Sequence, residues 1–376
     1  MDCEAVLKPG LIQTVTGPTH LRFGTLPQWS PYRQAVRVRV REWDPRTASA
    51  PEIRSLVETI NAVLAADLPE DPPWQDVQVR EYFAETMPGE RRLSWVAEDD
   101  RVPEGDGEIY AHVSVLLLGD IGVLEIAVRP DLRRRGLGRE LVAVAARRAY
   151  LEGFTTLGVE AIGGTPAIAF FEALGFEREY VETRSVLKLG TVDWPALSEM
   201  AEGIAAGYRI EYHPGGPPEH LLEAYAQAKL EAQDDDDELD LAPRSSDPQR
   251  LRDSLQTLHK RGLKPYIVMA MHEATGVVAG LTEVVVPAQH PERADQYDTI
   301  VVREHRGYGV DRAIKARMLF ELRAAEPDLR EVQTWNAQHN ESMLKVNAEL
   351  GYLADRDWYE YGADIAQLVQ SLEATK

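Results

Sequence analysis

Cysteine is almost absent from this sequence of 376 residues, in which Cys3 is the single example. One cysteine cannot form an internal disulfide bond, so the disulfide-rich folds of small secreted proteins are excluded and a reducing compartment is the simplest expectation. Cys3 lies close to the N-terminus, where we expect no catalytic role.

Positive charge is also scarce. The 41 lysine and arginine residues stand against 62 aspartate and glutamate residues, which gives a formal net charge of −21. A surface of this sign repels phosphate backbones and anionic lipid, so we expect neither nucleic acid nor a membrane as a partner. It is compatible with a neutral or cationic small molecule, although its simplest role is to keep the protein soluble.

Long apolar runs, a leader and metal-ligand patterns are missing as well. No apolar run has the length that spans a membrane, and the first residues, MDCEAVLKPG, lack the basic and apolar regions of a signal peptide. We therefore expect a cytoplasmic protein. The nine histidines show no metal-ligand spacing, and the acidic run 231–240 lacks the central glycine and final glutamate of an EF-hand loop. No metal cofactor is predicted.

The sequence does contain an internal repeat. VLEIAVRPDLRRRGLGR at 123–139 aligns with QYDTIVVREHRGYGVDR at 296–312, and VEAIGGTPAIAFFEALGF at 159–176 aligns with WNAQHNESMLKVNAELGY at 335–352. The landmarks keep their order at a nearly constant offset that is too long for a solenoid, so the repeat predicts two duplicated domains. We expect them at 1–190 and 208–376, joined by a linker at 191–207 that also reads as a short helix.

The apolar pattern predicts an α/β fold in each copy, with an α+β mixed sheet and helices on both faces. In the first copy we expect helices at 51–66, 81–87 and 166–174 and another that begins near Gly138. We expect strands at 93–97, 108–118, 122–128, 157–162 and 180–189. The second copy repeats this order, with strands at 266–272 and 277–286.

The loop RPDLRRRGLGR, between the strand that ends at Val128 and the next helix, carries the clearest chemical signal. Gly136 and Gly138 let the backbone bend tightly and approach a ligand closely. The unpaired N–H groups at the start of the helix favour an anion. Four basic side chains add positive charge: Arg133, Arg134, Arg135 and Arg139. We interpret the loop as a diphosphate site, and a basic surface turn remains the alternative.

Two common phosphate-binding patterns are excluded. The Gly-Lys-Ser/Thr of a Walker loop and the third glycine of a dinucleotide fingerprint are both missing. VRPDLRRRGLGREL instead resembles the coenzyme-binding motif Arg/Gln-x-x-Gly-x-Gly/Ala of the GNAT superfamily of acyl-CoA N-acyltransferases, with Arg133, Gly136 and Gly138 in its defined positions. AIAFFEALGFERE resembles the later family motif that ends in Leu-Gly-Phe. TWNAQHNESMLKVNAELGY is similar to the second domain of mycothiol synthase-like, tandem two-domain members.

The resemblance covers most of the chain and implies two tandem GNAT-like domains that use acetyl-CoA as co-substrate. Backbone groups of Ile126, Ala127 and Val128 would then bind the pantetheine arm. The diphosphate would lie on the N–H groups of a continuous run with Arg133 beside it: Arg134, Arg135, Gly136, Leu137, Gly138 and Arg139. The resemblance does not name the acceptor.

The sequence offers a candidate general base for proton transfer but lacks the usual general acid. Glu125 is the candidate general base, because it lies on the strand that lines the expected cleft, although an outward-facing strand residue is an equal alternative. Phe171, which we place with the cofactor-binding residues, stands where many family members have a tyrosine that protonates the departing thiolate. Phenylalanine cannot donate a proton, so solvent or Tyr180 would have to replace this acid.

The second copy departs further from the motif. Arg306 and Gly309 match, but Asp311 replaces the second glycine and Asn347 replaces the tyrosine. A carboxylate repels a diphosphate, so we expect this copy to bind the cofactor poorly. Some binding or a helix-capping role remains open for three polar residues: Asp298, Asn336 and Asn340.

The sequence therefore predicts an acetyl-CoA-dependent N-acetyltransferase that acts on a primary amine of a small molecule, as a monomer or a homodimer. Two alternatives stay open. The catalytic centre can lie in the C-terminal domain, or the pair can be a non-catalytic acyl-CoA-binding module.

Overall fold

The computed structural model describes residues 13–14, 37–233 and 247–374. Cys3 and most of the acidic run 231–240 lie outside these residues. The chain divides into two compact units. Among the described residues, the first unit contains 13–14, 37–84, 90–180 and 358–374, and the second contains 85–89, 181–233 and 247–357.

The first unit is a mixed sheet with helices on both faces. Its strands are β1 (Gln13–Thr14), β2 (Val38–Glu42), β3 (Arg91–Asp99), β4 (Ile109–Leu118), β5 (Ile121–Val128) and β6 (Thr156–Ile162). Its helices are α1 (Ala50–Asp67), α2 (Asp76–Ala84), α3 (Leu137–Leu151) and α4 (Ala167–Leu174). The order β2-β3-β4-β5-β6 is antiparallel except for the parallel pair β5–β6.

The chain continues mainly into the second unit. Its helices are α5 (Trp194–Glu202), α6 (Leu222–Gln233), α7 (Pro248–Lys260), α8 (Val310–Ala325) and α9 (Glu341–Leu350), and α10 (Ile365–Ala374) returns to the first unit. The strands are β7 (Glu177–Lys188), β8 (Tyr208–Pro214), β9 (Leu263–His272), β10 (Val278–Pro287), β11 (Arg293–Val301), β12 (Glu331–Ala337) and β13 (Leu353–Asp364).

The second unit repeats the sheet of the first. Its order is β7-β12-β11-β10-β9-β8, with β11–β12 as the parallel pair. The predicted α/β class, with a mixed sheet in each of two similar halves, is confirmed. None of the described helices is long and apolar enough to cross a membrane.

The last strand of each sheet comes from an unexpected part of the chain. Residues 182–188 of β7 pair antiparallel with β12 in the second unit, whereas residues 358–364 of β13 pair antiparallel with β6 in the first. Each compact unit is therefore built from several separate stretches of the sequence. They differ from the expected domains 1–190 and 208–376, because 181–190 groups with the second unit and 358–374 with the first.

Local sequence explains most helix ends. α1 starts with a capping box between Ser49 and Glu52, and α4 ends at Gly175, which is left-handed with φ of 91°. The segment that reads as linker or short helix contains α5, which begins at the N-cap Asp193. The helix expected at 81–87 is wrong in its bounds, since α2 spans Asp76–Ala84 and ends before the residue that precedes Pro88.

The core of the first unit lies between its sheet and the helices on one face. Ile126 and Val128 of β5 pack there with Leu141 and Ala145 of α3. Three residues of α10 are buried in the same core: Ile365, Leu368 and Leu372. Side chains alternate along a strand, so Glu125 faces the opposite side, where it contacts Tyr82 of α2.

Candidate functional site

The loop between β5 and α3 bends at two residues with positive φ. Arg134 has a φ of 63° and Gly136 a φ of 89°. This region is uncommon for a residue with a side chain, so glycine at 136 relieves strain that Arg134 retains. The bend leads the chain from a 3-10 turn at Pro130–Leu132 directly into the first turn of α3.

α3 begins without a capping side chain. Its N-cap residue is Gly136, and the first bond of the helix runs from the Glu140 N–H to the Gly136 carbonyl at 3.0 Å. The N–H groups of residues 137–139 therefore have no carbonyl partner within the helix. Together with the helix dipole they favour a bound anion.

A cavity of about 260 Å³ opens at this helix start. Pockets that bury a whole drug-sized ligand measure about 300–1,000 Å³, so this one suits part of a ligand. Its lining contains six of the seven residues of the predicted diphosphate site, all except Arg135, together with Val128, Leu132 and Phe170.

The four arginines of the loop have different surroundings. Arg133 is largely buried and forms an ion pair with Asp67, so its charge is already neutralised. Arg134 and Arg135 are exposed, and Arg135 Nη2 donates to the Asp131 carbonyl at 3.2 Å. Arg139 is partly exposed and donates to the Ser371 carbonyl at 3.4 Å. Arg134, Arg135 and Arg139 place positive charge on the exposed or partly exposed side of the loop.

β5 and β6 separate beside this cavity. They pair only between residues 121–123 and 156–158. Beyond that point β1 pairs with β5 in parallel, with Gln13 opposite Ile126 and Thr14 opposite Ala127. Two of the three residues whose backbone is predicted to bind a pantetheine arm, Ile126 and Ala127, are thus paired with the chain's own β1.

Glu125 lies in a buried polar cluster on the other face of the sheet. Its carboxylate accepts hydrogen bonds from Tyr82 Oη, from Ser114 Oγ at 2.9 Å, and from Arg92, with which it forms a buried ion pair. The Arg92 guanidinium also lies over the ring of Tyr82, 4.7 Å from its centroid. An ionised carboxylate has about four acceptor positions, so about one remains for a substrate proton.

Comparisons with known proteins show which family the region around this loop belongs to. Residues 58–176, which contain the loop and cavity just described, match the model of the acetyltransferase (GNAT) family. These residues form a GNAT domain. No curated protein sequence matches the chain significantly.

Solved structures extend the likeness to both halves. The chain resembles a tandem GNAT protein from the clavulanic acid biosynthesis pathway, solved without AcCoA, at 25% identity and a TM-score of 0.73, over 88% of this chain and 99% of the other. It also resembles a GCN5-related N-acetyltransferase from Sphaerobacter thermophilus at 17% identity and a TM-score of 0.64, over 87% and 96% of the two chains, which shows the fold alone.

The chain therefore has two GNAT-like domains, as the repeat predicted, and the family supports acyl transfer as the reaction class. Among residues 37–233 and 247–374 there is no group of three or more His, Cys, Asp or Glu that could hold a metal ion.

Several residues around Glu125 in the GNAT domain were missed by sequence reasoning. Arg92, His112 and Ser114 occupy one face of β3 and β4, and Tyr82 lies on α2. The available signal was polar side chains at alternate positions of strands that are otherwise apolar. Arg92 is 33 residues and Tyr82 is 43 residues from Glu125 in the sequence, and short-range sequence patterns do not reveal contacts over such separations.

His112 is the most perturbed titratable group of this cluster. It is 2% exposed and packs edge-on against Phe83 and Trp43, with ring centroids at 4.6 and 5.6 Å. Burial, helped by the charge of Arg92, lowers the pKa of His112 to about 3. The folded protein therefore holds this imidazole neutral at physiological pH.

Stability of the GNAT domain should consequently fall in mild acid. An unfolded histidine has a pKa of about 6.5. Between pH 6.5 and 3 the unfolded chain binds the extra proton, so lowering the pH from 7 to 5 should remove about 2 kcal/mol of unfolding free energy. We expect this loss in urea titrations of the wild-type protein and its absence in His112→Phe.

His220, which is exposed in the second unit, provides the control for this experiment. His220→Phe should keep the wild-type pH dependence. An equal loss of stability in wild type and His112→Phe would contradict the buried neutral state.

Phe171 and its neighbour occupy different places. Phe171 is fully buried and packs against Phe176, with ring centroids at 5.2 Å, whereas Phe170 lines the cavity. Tyr180, the candidate substitute acid, is partly buried. The role of Phe171 in cofactor binding stays a prediction.

The second GNAT-like domain has an equivalent loop, but one of the backbone amides in the first turn of the following helix is already hydrogen-bonded. Arg306 Nε donates to the Val301 carbonyl at 3.1 Å, as Arg133 Nε does to Val128 at the same distance. However, Asp311 Oδ1 accepts a hydrogen bond from the Arg312 N–H at 2.8 Å. A carboxylate thus already uses an amide of the first helical turn.

Other chain segments also lie against this second loop. The Ala205 N–H donates to the Tyr308 carbonyl at 3.1 Å, and a side chain at Gly309 would approach the Gly203 carbonyl to 3.2 Å. Both contacts leave less room for a ligand at the start of α8.

The remaining polar candidates of the second copy also have partners. Asn340 caps α9 by accepting from the Met343 N–H at 3.1 Å. Asn336 accepts from Asn347 Nδ2 at 2.6 Å, and Asp298 forms an ion pair with Lys229 at 2.6 Å.

Proposed function

We propose that the chain transfers an acetyl group from acetyl-CoA to a primary amine of a small molecule, in the first GNAT-like domain. The uncapped start of α3 beneath the cavity is the observation that carries this proposal. Three unpaired N–H groups and three charged arginines suit a diphosphate, and the second copy offers no equivalent set because Asp311 uses one amide.

The co-substrate would extend from this loop along β5. Its diphosphate would accept hydrogen bonds from residues 137–139, and its pantetheine arm would use the backbone of Ile126, Ala127 and Val128. Because β1 pairs with Ile126 and Ala127 in this structure, the arm would have to displace β1.

The reaction would be a direct transfer without a covalent enzyme intermediate. The neutral amine nitrogen attacks the thioester carbonyl, the carbon–sulfur bond breaks, and CoA leaves as a thiolate. Glu125 or an ordered water would take the amine proton. Phe171 cannot protonate the thiolate, so solvent would supply that proton.

Calorimetry with acetyl-CoA, followed by thiol release with a panel of primary amines, tests the proposal. A dissociation constant in the micromolar range and turnover with at least one amine are expected. Failure of the intact chain to bind acetyl-CoA would rule the proposal out. Tight binding with no transfer to any amine would favour the non-catalytic alternative.

The alternative centre in the second domain has its own test. Arg306→Ala should leave turnover unchanged if the first domain is active. If Arg306→Ala abolishes turnover while Gly138→Asp does not, the catalytic centre lies in the second domain.

Glu125→Gln tests the proposed base. We expect acetyl-CoA affinity to stay within about twofold and kcat to fall about 10²- to 10⁴-fold, because the variant loses the proton acceptor but not the cofactor site. Ser114→Ala removes one neighbour of the same carboxylate and should lower kcat far less. A kcat unchanged in Glu125→Gln would leave the residue with only a structural role.

A further inference from the structure

The ion pair between Asp67 and Arg133 is unusual in its position. Asp67 is the last residue of α1 and is 8% exposed. A carboxylate at the C-terminal end of a helix opposes the helix dipole, and its burial adds a desolvation cost. Such a group persists where a partner compensates it, and here the partner is an arginine of the diphosphate loop.

The Arg133 guanidinium connects three parts of the site. Nη1 donates to Asp67 Oδ1 at 3.1 Å, and Nε donates to the Val128 carbonyl at 3.1 Å. The side chain also lines the cavity. One planar group therefore joins the end of α1, the end of β5 and the loop that leads into α3.

The Val128 carbonyl faces the gap between β5 and β6. The N–H of the same peptide unit, that of Arg129, donates to the backbone carbonyl of Tyr110 in β4 at 3.1 Å. Because the two groups of a planar trans peptide point in opposite directions, the Val128 carbonyl points away from β4. Arg133 thus lies where the proposed pantetheine path meets the diphosphate loop.

We propose that Asp67 is a positioning residue for the acyl-CoA site of the first domain. By fixing the Arg133 guanidinium, Asp67 sets the distance between the amides at the start of α3 and the end of β5. This inference rests on the proposed function. Arg133 then acts as a brace for the loop, and the phosphate charge is met by Arg134, Arg135 and Arg139.

The test compares two probes, CoA and pantetheine, which lacks the diphosphate. In Asp67→Asn the dissociation constant for CoA should rise about 10- to 100-fold, since losing one hydrogen bond to the charged diphosphate weakens binding by about that factor. The constant for pantetheine should change less than about twofold. A merely structural Asp67 would lower the unfolding midpoint without altering the ratio of the two constants.

Asp44→Asn is the matched control, because Asp44 pairs with Arg46 on the surface of the same unit. It should leave both constants unchanged. Arg133→Lys keeps the charge but loses the planar fork, so it should reproduce the weaker CoA binding.

A double variant separates a loss of CoA binding from a loss of folding. Replacing both partners of a buried ion pair by apolar residues is often neutral for stability. Asp67→Leu combined with Arg133→Met should therefore stay folded and still bind CoA about 10- to 100-fold more weakly than the wild type.

The outcomes separate the two proposals. If wild type and Asp67→Asn bind CoA equally, the positioning role is overturned and the proposed function stands. If both constants rise together in Asp67→Asn, the positioning role is likewise overturned. If the wild type binds no CoA, the proposed function fails and the positioning role fails with it.

Discussion

Replacing Gly138 by aspartate is expected to weaken acetyl-CoA binding about a thousandfold. The second copy shows what such a side chain does, because Asp311 accepts a hydrogen bond from the next backbone amide. In Gly138→Asp the carboxylate would take the Arg139 N–H and lie beside the diphosphate. Two unit charges about 4 Å apart repel by about 4 kcal/mol at an effective dielectric constant of about 20, and each 1.4 kcal/mol is about tenfold in affinity.

The loss of binding should not come from loss of folding. An acidic residue in the first turn of a helix interacts favourably with the helix dipole. We therefore expect Gly138→Asp to unfold at the wild-type temperature or above in the absence of ligand. Calorimetry gives the affinity, and a thermal melt without ligand gives the stability.

Gly138→Ala is the control for the added side chain, because the family motif accepts alanine at this position. Its affinity should stay within about tenfold of the wild type. Binding of acetyl-CoA that is unchanged in Gly138→Asp would mean that the cofactor does not use the start of α3.

Removing the chain after Asp357 is expected to abolish cofactor binding, although the cut lies far from the motif in sequence. Residues 358–364 supply a strand beside β6, and α10 buries Ile365, Leu368 and Leu372 in the core of the first unit. Burying an aliphatic side chain contributes about 1.5–3 kcal/mol, so these three account for about 5–9 kcal/mol. Domains are stable by only about 5–15 kcal/mol in total.

Hydrogen exchange measures this effect directly. The amides of α3 should lose their protection in the truncated chain, while β9 and β10 of the second unit keep theirs. Gln370→Ala, a change at an exposed position of α10, serves as the control and should change neither region. Full protection of α3 after truncation at 357 would show that the first unit does not need this segment.

Much of the site was predictable from sequence because its signals are local. Gly136 and Gly138 stand in a short motif, and the φ of 89° at Gly136 confirms the tight bend expected of the first of them. The repeat likewise predicted that Arg133 and Arg306 are equivalent, and both make the same hydrogen bond to the end of the preceding strand.

Other features depended on distant residues. The sequence presented Arg133 as a phosphate ligand, whereas in the structure its guanidinium pairs with Asp67, 66 residues earlier. Glu125 similarly stood alone on a strand, and its surroundings of Tyr82, Arg92 and Ser114 come from one helix and two strands. The bounds of α2 were predicted wrongly because its apolar face is short and the prolines on either side, Pro72, Pro73 and Pro88, do not fix where the helix starts and ends.

The sequence by itself determined the fold class, the duplication, the turn before α3 and the degenerate second motif, since each depends on residues within one turn, strand or helix. Only the tertiary structure decided which strand completes each sheet and which side chains meet Glu125 and Arg133. Strand pairing depends on packing between residues that are far apart in the sequence. The segments 181–188 and 358–364 are both strands, and no local sequence pattern indicates which sheet each of them joins.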